Sequence, residues 1–222
     1  MAKETVFIVS GGNLQDLADI LKHYDYWRNV RFIGVDKGAG ELLKLGYPID
    51  LAIGDFDSMD PLDMKALKMT AKYIEYFASI KDDTDTQLAL LRAMENFPQA
   101  RRYILLGATG GRIDHFLSNL YLVLEERFES IIEKIYLQDS NNQVHFLKAG
   151  QHSLQKDKDY KYIAFANLKE TKDFQIKGAK YQLAKTNLPI STSYPSNEFE
   201  EDKEIQVSFT TGIVAVIESK DE

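Results

Sequence analysis

The strongest constraint on this chain is a rhythm that runs from the N-terminus to about Phe128. Short apolar runs, Thr5–Val9, Arg31–Val35, Leu51–Ile53, Tyr73–Tyr76 and Arg102–Leu106, alternate with stretches of helical period. Those stretches carry Leu14, Leu17, Ala18 and Leu21, then Leu42, Leu43 and Leu45 closed by Gly46. They continue over about Asp60–Met69, through Leu88, Leu91 and Met94, and from Ile113 to Phe128. Strands that are apolar on both faces and alternate with helices predict a mostly parallel sheet covered on both sides. Most of the runs end in small or acidic residues: Ser10-Gly11-Gly12, Asp36, Gly54-Asp55 and Gly107. These ends share one edge of the sheet, the edge where open α/β sheets collect ligands.

The pattern changes after Gln138. Asp139-Ser140-Asn141-Asn142 signals a turn. Beyond it come Val144–Leu147, Tyr160–Ala166, Phe174–Ile176, Tyr181–Leu183, Ile205–Phe209 and Ile213–Ile217, punctuated by Gly150, Gly178 and Gly212. The expectation is an α/β domain over residues 1–138 and a smaller antiparallel β-sandwich or barrel over 139–222. Thr210-Thr211-Gly212 reads as a hairpin turn. A net charge of -7 argues against nucleic acid as the main partner. With no cysteine, thiolate catalysis and cysteine zinc sites are excluded. Met1–Glu4 runs into a strand with no signal-peptide pattern, and no apolar stretch approaches membrane length. A cytoplasmic protein without a membrane partner is expected.

Three segments at the predicted edge could carry chemistry. Gly54-Asp55-Phe56-Asp57-Ser58 places two carboxylates just past a strand, which suits a hard cation such as Mg²⁺ sharing its shell with water and phosphates. The structural alternative is that Asp57 and Ser58 cap the helix near Asp60-Pro61. Lys81-Asp82-Asp83-Thr84-Asp85-Thr86 crowds three carboxylates before a helix. Thr84 and Gln87 fit a capping box, but capping does not require all three acids. Gly107-Ala108-Thr109-Gly110-Gly111-Arg112-Ile113-Asp114-His115 is a glycine loop opening a helix, with Arg112 a fork of donors for phosphate oxygens. It lacks Walker A spacing, and an ordinary turn with Asp114 as a cap is the alternative. Asp36 and Lys37 could contact a nucleotide. Ser10-Gly11-Gly12 reads more simply as a turn.

Taken in order, Asp36-Lys37-Gly38-Ala39, Gly54–Ser58, Asp82-Asp83-Thr84-Asp85 and Gly110–His115 resemble the thiamine pyrophosphokinase family. Ser196-Asn197-Glu198-Phe199 with Gly212 resembles that family's C-terminal β domain. The resemblance implies transfer of the pyrophosphoryl group of ATP to thiamine, giving thiamine diphosphate and AMP. It also implies a homodimer holding thiamine between the α/β domain of one subunit and the β domain of the other. By the resemblance Asp55, Asp57 and Asp85 would hold Mg²⁺. Asp36, Gly110, Arg112 and Asp114 would line the nucleotide and phosphate site, with Lys37, Gly38, Gly54, Thr109 and Gly111 in the same motifs. Tyr181, Ser196 and Asn197 would meet thiamine, and Asp85 or Asp82 could take the alcohol's proton. Lys37 and Gly40 stand where the family often has Gly and Asn. Tyr181 stands at what looks like a Trp position in animal relatives, and its ring can still face a cationic thiazolium.

Two other readings remain open. A haloacid-dehalogenase-type phosphohydrolase also uses Asp-x-Asp after a strand, but after the first strand rather than the third. A nucleotide sensor would bind ATP without releasing AMP.

Overall fold

The computed structural model describes residues 4–22, 24, 29–77, 83–200 and 203–221. The chain divides into two compact units, Met1–Leu122 with Tyr136–Ser140, and Val123–Ile135 with Asn141–Glu222. No helix among the described residues is long and apolar enough to cross a membrane.

The first unit is built on strands β1 (Thr5–Val9), β2 (Val30–Val35), β3 (Leu51–Gly54), β4 (Ile74–Tyr76), β5 (Arg102–Leu106) and β6 (Ile135–Gln138), in the spatial order β6-β5-β1-β2-β3-β4. The pairs from β5 through β1, β2 and β3 to β4 are all parallel. Helices α1 (Leu17–Lys22), α2 (Lys37–Lys44), α3 (Pro61–Thr70), α4 (Asp85–Asn96) and α5 (Ile113–Tyr121) connect or follow them. Alternate strand residues Phe7, Val9, Phe32, Ala52, Ile104 and Leu106 pack with Leu17, Leu42 and Leu67 of the first three helices. The intervening residues, among them Val6, Ile8, Ile33, Ile53 and Leu105, are buried too, and α4 crosses β1, β2 and β3. Burial on both faces accounts for the continuous apolar runs.

Local chemistry sets where these helices begin. Asp60 accepts a hydrogen bond from the Leu62 amide at 2.8 Å, and Pro61 occupies the first helical position of α3. The cap is therefore Asp60, and neither Asp57 nor Ser58 serves as one. At α4, Thr84 Oγ1 accepts from Gln87 N at 3.2 Å while Gln87 Oε1 accepts from Thr84 N at 2.8 Å, completing the expected capping box. The helix expected from Ile113 to Phe128 is shorter. α5 ends at Tyr121, a 3-10 turn spans Leu122–Leu124, and Glu125 is extended. A second 3-10 segment, Glu126–Lys134, then buries Phe128, Ile131 and Ile132.

The second unit is antiparallel, with β7 (Asn142–Leu154), β8 (Tyr162–Asn167), β9 (Thr171–Lys177), β10 (Leu183–Leu188), β11 (Ser193–Asn197) and β12 (Ile205–Ser219). β12 is one continuous strand along β7, so the expected hairpin at Thr210–Gly212 does not form. Those residues make a bulge instead, three of them standing opposite Ala149 between the pairs Phe209↔Gly150 and Ile213↔Lys148. Before the bulge β12 pairs with β9, and after it with β8. The sheet forks there, and its two arms meet across Phe165, Phe174, Ile176, Val207 and Val216 in the manner of a sandwich. Tyr181, expected to open a strand, lies in the link before β10. β11, interrupted by Pro195, was not anticipated.

Replacing Thr84 with Ala removes the cap bond to Gln87 N and the box with it. The expected cost is about 1 kcal/mol, read as a fall in melting temperature of roughly 2–4 °C. An unchanged unfolding midpoint would show that α4 is held by packing alone.

Candidate functional site

β1 has β2 on one side and β5 on the other; the chain goes on from β1 to β2, and from β5 to β6 on the far side of β5. Loops after β1 and β5 therefore part at this point, and a crevice opens between them. It is a cavity of ≈ 750 Å³ walled by the ends of β1, β2, β3 and β5 and the starts of α4 and α5. Its floor is tied tightly. Ser10 N donates to Leu106 O at 2.8 Å and Gly12 N to Gly107 O at 3.1 Å. A Cβ on Gly12 would come within 2.2 Å of that carbonyl oxygen, so only glycine allows the two loops to touch. The buried hydroxyls of Ser10 and Thr86 share a hydrogen bond of 2.9 Å, joining β1 to α4.

One side of the cavity is acidic. Asp36, Asp55, Asp83 and Asp85 all line it. Asp36 sits at the start of α2 with φ of 46° and makes no side-chain cap. Its carboxylate is pushed against Gly54, where a Cβ would lie 1.8 Å from Oδ1. That oxygen is buried and has no hydrogen-bond partner among the described residues. Burial, and after it the negative charges of Asp85 and Asp55, push the Asp36 carboxyl up from 3.8 to about 6, against an opposing bond from the Phe56 amide. Carboxylates from β2, β3 and α4 thus act on one another at one rim. Asp57 is exposed and is not part of the wall; its amide donates to Asp55 Oδ1 at 3.1 Å. Among the described residues, no group of three or more acidic or histidine side chains forms a ready metal cage. Asp82 lies outside the described residues.

The opposite side is the glycine loop. Thr109, Gly110, Gly111 and Arg112 line the cavity, as does Lys37. Gly38 and Gly54 are buried beside the wall rather than on it. Arg112 holds the N-cap position of α5 with no side-chain cap bond. Its guanidinium grips Asp114 in a two-pronged ion pair, Nη2–Oδ2 2.5 Å and Nε–Oδ1 3.1 Å. That bond holds the Asp114 carboxyl below the usual carboxylate range. Asp114 is exposed, off the wall, and steers Arg112 rather than capping the helix.

In the second unit Tyr181 is 59% exposed. Asn197 is buried, and its amide is spent on Tyr181: Oδ1 accepts from Tyr181 N at 2.9 Å, and Nδ2 donates to Tyr181 O at 2.8 Å. Oδ1 also accepts from Glu198 N at 3.0 Å. Ser196 adopts φ of 58°, which turns the chain so that Asn197 can do this. Asn197 thus holds the link that presents Tyr181.

Sequence reasoning missed several residues that shape the cavity. Asn119 Nδ2 donates to Ala108 O at 3.0 Å, and Thr109 Oγ1 donates to Asp139 Oδ2 at 2.6 Å. Thr86, Asn13 and Phe116 also line it. Asn13, Phe116, Asn119 and Asp139 are single residues outside the site motifs that only the fold brings together, whereas Thr86 and Thr109 stand inside the acidic cluster and the glycine loop already named.

Residues 23–136 match the family described as thiamin pyrophosphokinase, catalytic domain, and residues 151–214 match its vitamin B1 binding domain. The chain is 34% identical to thiamine pyrophosphokinase of Bacillus subtilis (strain 168), over 98% of this chain and 100% of that one. A thiamin pyrophosphokinase family protein from Enterococcus faecalis superposes with a TM-score of 0.87 at 36% identity, covering 99% of this chain and 100% of its own. Thiamin pyrophosphokinase from Geobacillus thermodenitrificans gives 0.81 at 31% identity, covering 98% of each chain. On the acidic rim, the facing glycine loop and these matches together, the chain belongs to the thiamine pyrophosphokinase family.

Proposed function

We propose that this chain transfers the pyrophosphoryl group of ATP to the hydroxyl of thiamine at the β1/β5 cavity, giving thiamine diphosphate and AMP. The observation that carries the reading is the meeting of Asp36, Asp55 and Asp85 on one rim, opposite a glycine loop that ends in Arg112.

The thiamine hydroxyl oxygen attacks the β-phosphorus. The bond from that phosphorus to the α–β bridging oxygen breaks, AMP leaves with the bond's electrons, and the hydroxyl proton passes to a carboxylate. Such a transfer asks for positioning and charge stabilisation rather than a covalent enzyme intermediate. The amides of Gly110 and Gly111 and the fork of Arg112 face the phosphate oxygens, so donors meet the charge that develops there. Asp114 keeps the Arg112 fork aimed. Asp85 is the wall carboxylate we assign to the proton, with Asp82 as the other candidate.

The residues fit a hard divalent cation. Several carboxylates share one rim, and a buried Asp36 oxygen lacks a partner among the described residues. Asp55 and Asp85 would hold Mg²⁺, with Asp36 behind them and Asp57 next to Asp55. Held by those residues, Mg²⁺ would supply charge neutralisation to the phosphates. The same reading takes the enzyme as a cytoplasmic homodimer, in which Tyr181 offers its ring to thiamine's cationic thiazolium and Ser196 stands beside it.

Purified protein supplied with ATP, Mg²⁺ and thiamine should form AMP and thiamine diphosphate in equal amounts. Release of ADP, or capture of an aspartyl phosphate, would overturn the reading. Asp55→Asn is expected to lower kcat by about 100-fold with little change in melting temperature. Near-normal turnover at saturating Mg²⁺ rejects Asp55 as a ligand.

The raised Asp36 carboxyl also makes a stability prediction. Its folded value of about 6 exceeds its unfolded 3.8, so between these values the folded state binds more protons. Stability from this group is present below pH 3.8 and is lost as pH rises through about 6. In chelator, Asp36→Asn should therefore be more stable than the unsubstituted protein at pH 7 and less different at pH 4. Urea midpoints at the two pH values decide it, and an equal gap at both would discount the clustered charge.

A further inference from the structure

The glycine loop is anchored from below at three successive residues. Gly107 O accepts from Gly12 N at 3.1 Å, Ala108 O accepts from buried Asn119 at 3.0 Å, and the Thr109 hydroxyl donates to Asp139 at 2.6 Å. Only the last anchor uses a charge, and it comes from outside the strand-to-helix motif. Asp139 directly follows β6, the strand that flanks β5. It lines a small groove behind the loop, together with Asn13, Gln138 and Ser140, and does not line the cavity.

A carboxylate close to a phosphate site repels the ligand, so its charge is no help to binding. Its use lies in the short, charge-assisted bond. Thr109 is almost fully buried, and Gly110, next in the chain, has φ of 67°. The conformation of Gly110 and Gly111 is therefore entered from a side chain that Asp139 alone fixes by hydrogen bond among the bonds described.

We propose that Asp139 is a positioning residue for nucleotide binding, acting through Thr109 to set the Gly110–Arg112 amides against the phosphates. The inference rests on the reading of the cavity as the ATP site. It does not require turnover, because it concerns the bound triphosphate.

The test is a double-mutant cycle on the full chain, with the dissociation constant for ATP and Mg²⁺ measured by calorimetry. Asp139→Ala and Thr109→Val should each weaken binding about tenfold, and the double variant should be no weaker than either, since both remove one bond. Asp139→Asn keeps an acceptor at the same place and should stay within about threefold of the unsubstituted protein. In steady state, Asp139→Ala should raise KM for ATP and leave KM for thiamine unmoved. Effects of the two single changes that multiply to about 100-fold would overturn the proposal, as would an unchanged affinity in Asp139→Ala. If Asp139→Ala unfolds, Asp139→Asn and Thr109→Val decide it, and wild-type affinity in Thr109→Val overturns it. Weakened ATP binding in a protein that makes no AMP would uphold this inference and overturn the proposed reaction. No ATP binding by the unsubstituted protein overturns both.

Discussion

The double pairing of β1 is the constraint from which the rest follows. The chain goes on from β1 to β2 on one side and from β5 to β6 on the other, so the loops leaving β1 and β5 separate. The gap needs backbone contact beneath it to stay shut to the core. The bond from Gly12 to the Gly107 carbonyl supplies that contact, and the lack of a side chain at Gly12 permits it.

The electrostatics of the cavity work against the fold. Asp85 and Asp55, from separate elements, raise the proton affinity of Asp36, which keeps one buried oxygen unsatisfied among the described residues. A chain selected only for stability would replace Asp36 by a neutral residue, because an unpaired buried acid is costly. Gly54 is part of the same compromise: it gives up a side chain so that the Asp36 carboxylate has somewhere to go.

Much of the first unit was legible in the sequence because the physics was local. Strand runs buried on both faces, the Thr84–Gln87 box and the glycine turns are each decided within a few residues, and they fell where expected. The ends of elements were less legible. Whether the helix begun at Ile113 would continue past Tyr121 depended on where Phe128 and Ile131 find their core, which is set by distant strands. Gly212 reads as a turn in isolation, yet β7 runs alongside both halves of β12 and converts the turn into a bulge. For the site, the motifs exposed the acids and the glycine loop but not their aim. Asp57 and Asp55 look equivalent two residues apart, and only the wall of the cavity distinguishes them.

The second unit solves a different problem. A large aromatic ring that is more than half exposed gains little from packing and is free to move. Asn197 counters this by imitating a strand neighbour, with one side-chain amide meeting both the N–H and the C=O of Tyr181. The backbone bond from Lys180 to the Glu198 carbonyl, 3.0 Å, and the bridge between Ala179 and Phe199 extend the same pairing away from Tyr181 on one side. The link before β10 therefore behaves as a short strand with a side chain as its partner, although Tyr181 itself belongs to no sheet. Fixing the backbone in advance spares a ligand the cost of ordering it. Asn197 thus orders the backbone and leaves the ring of Tyr181 exposed, whereas the first unit spends its ordering on the glycine loop and the acidic rim.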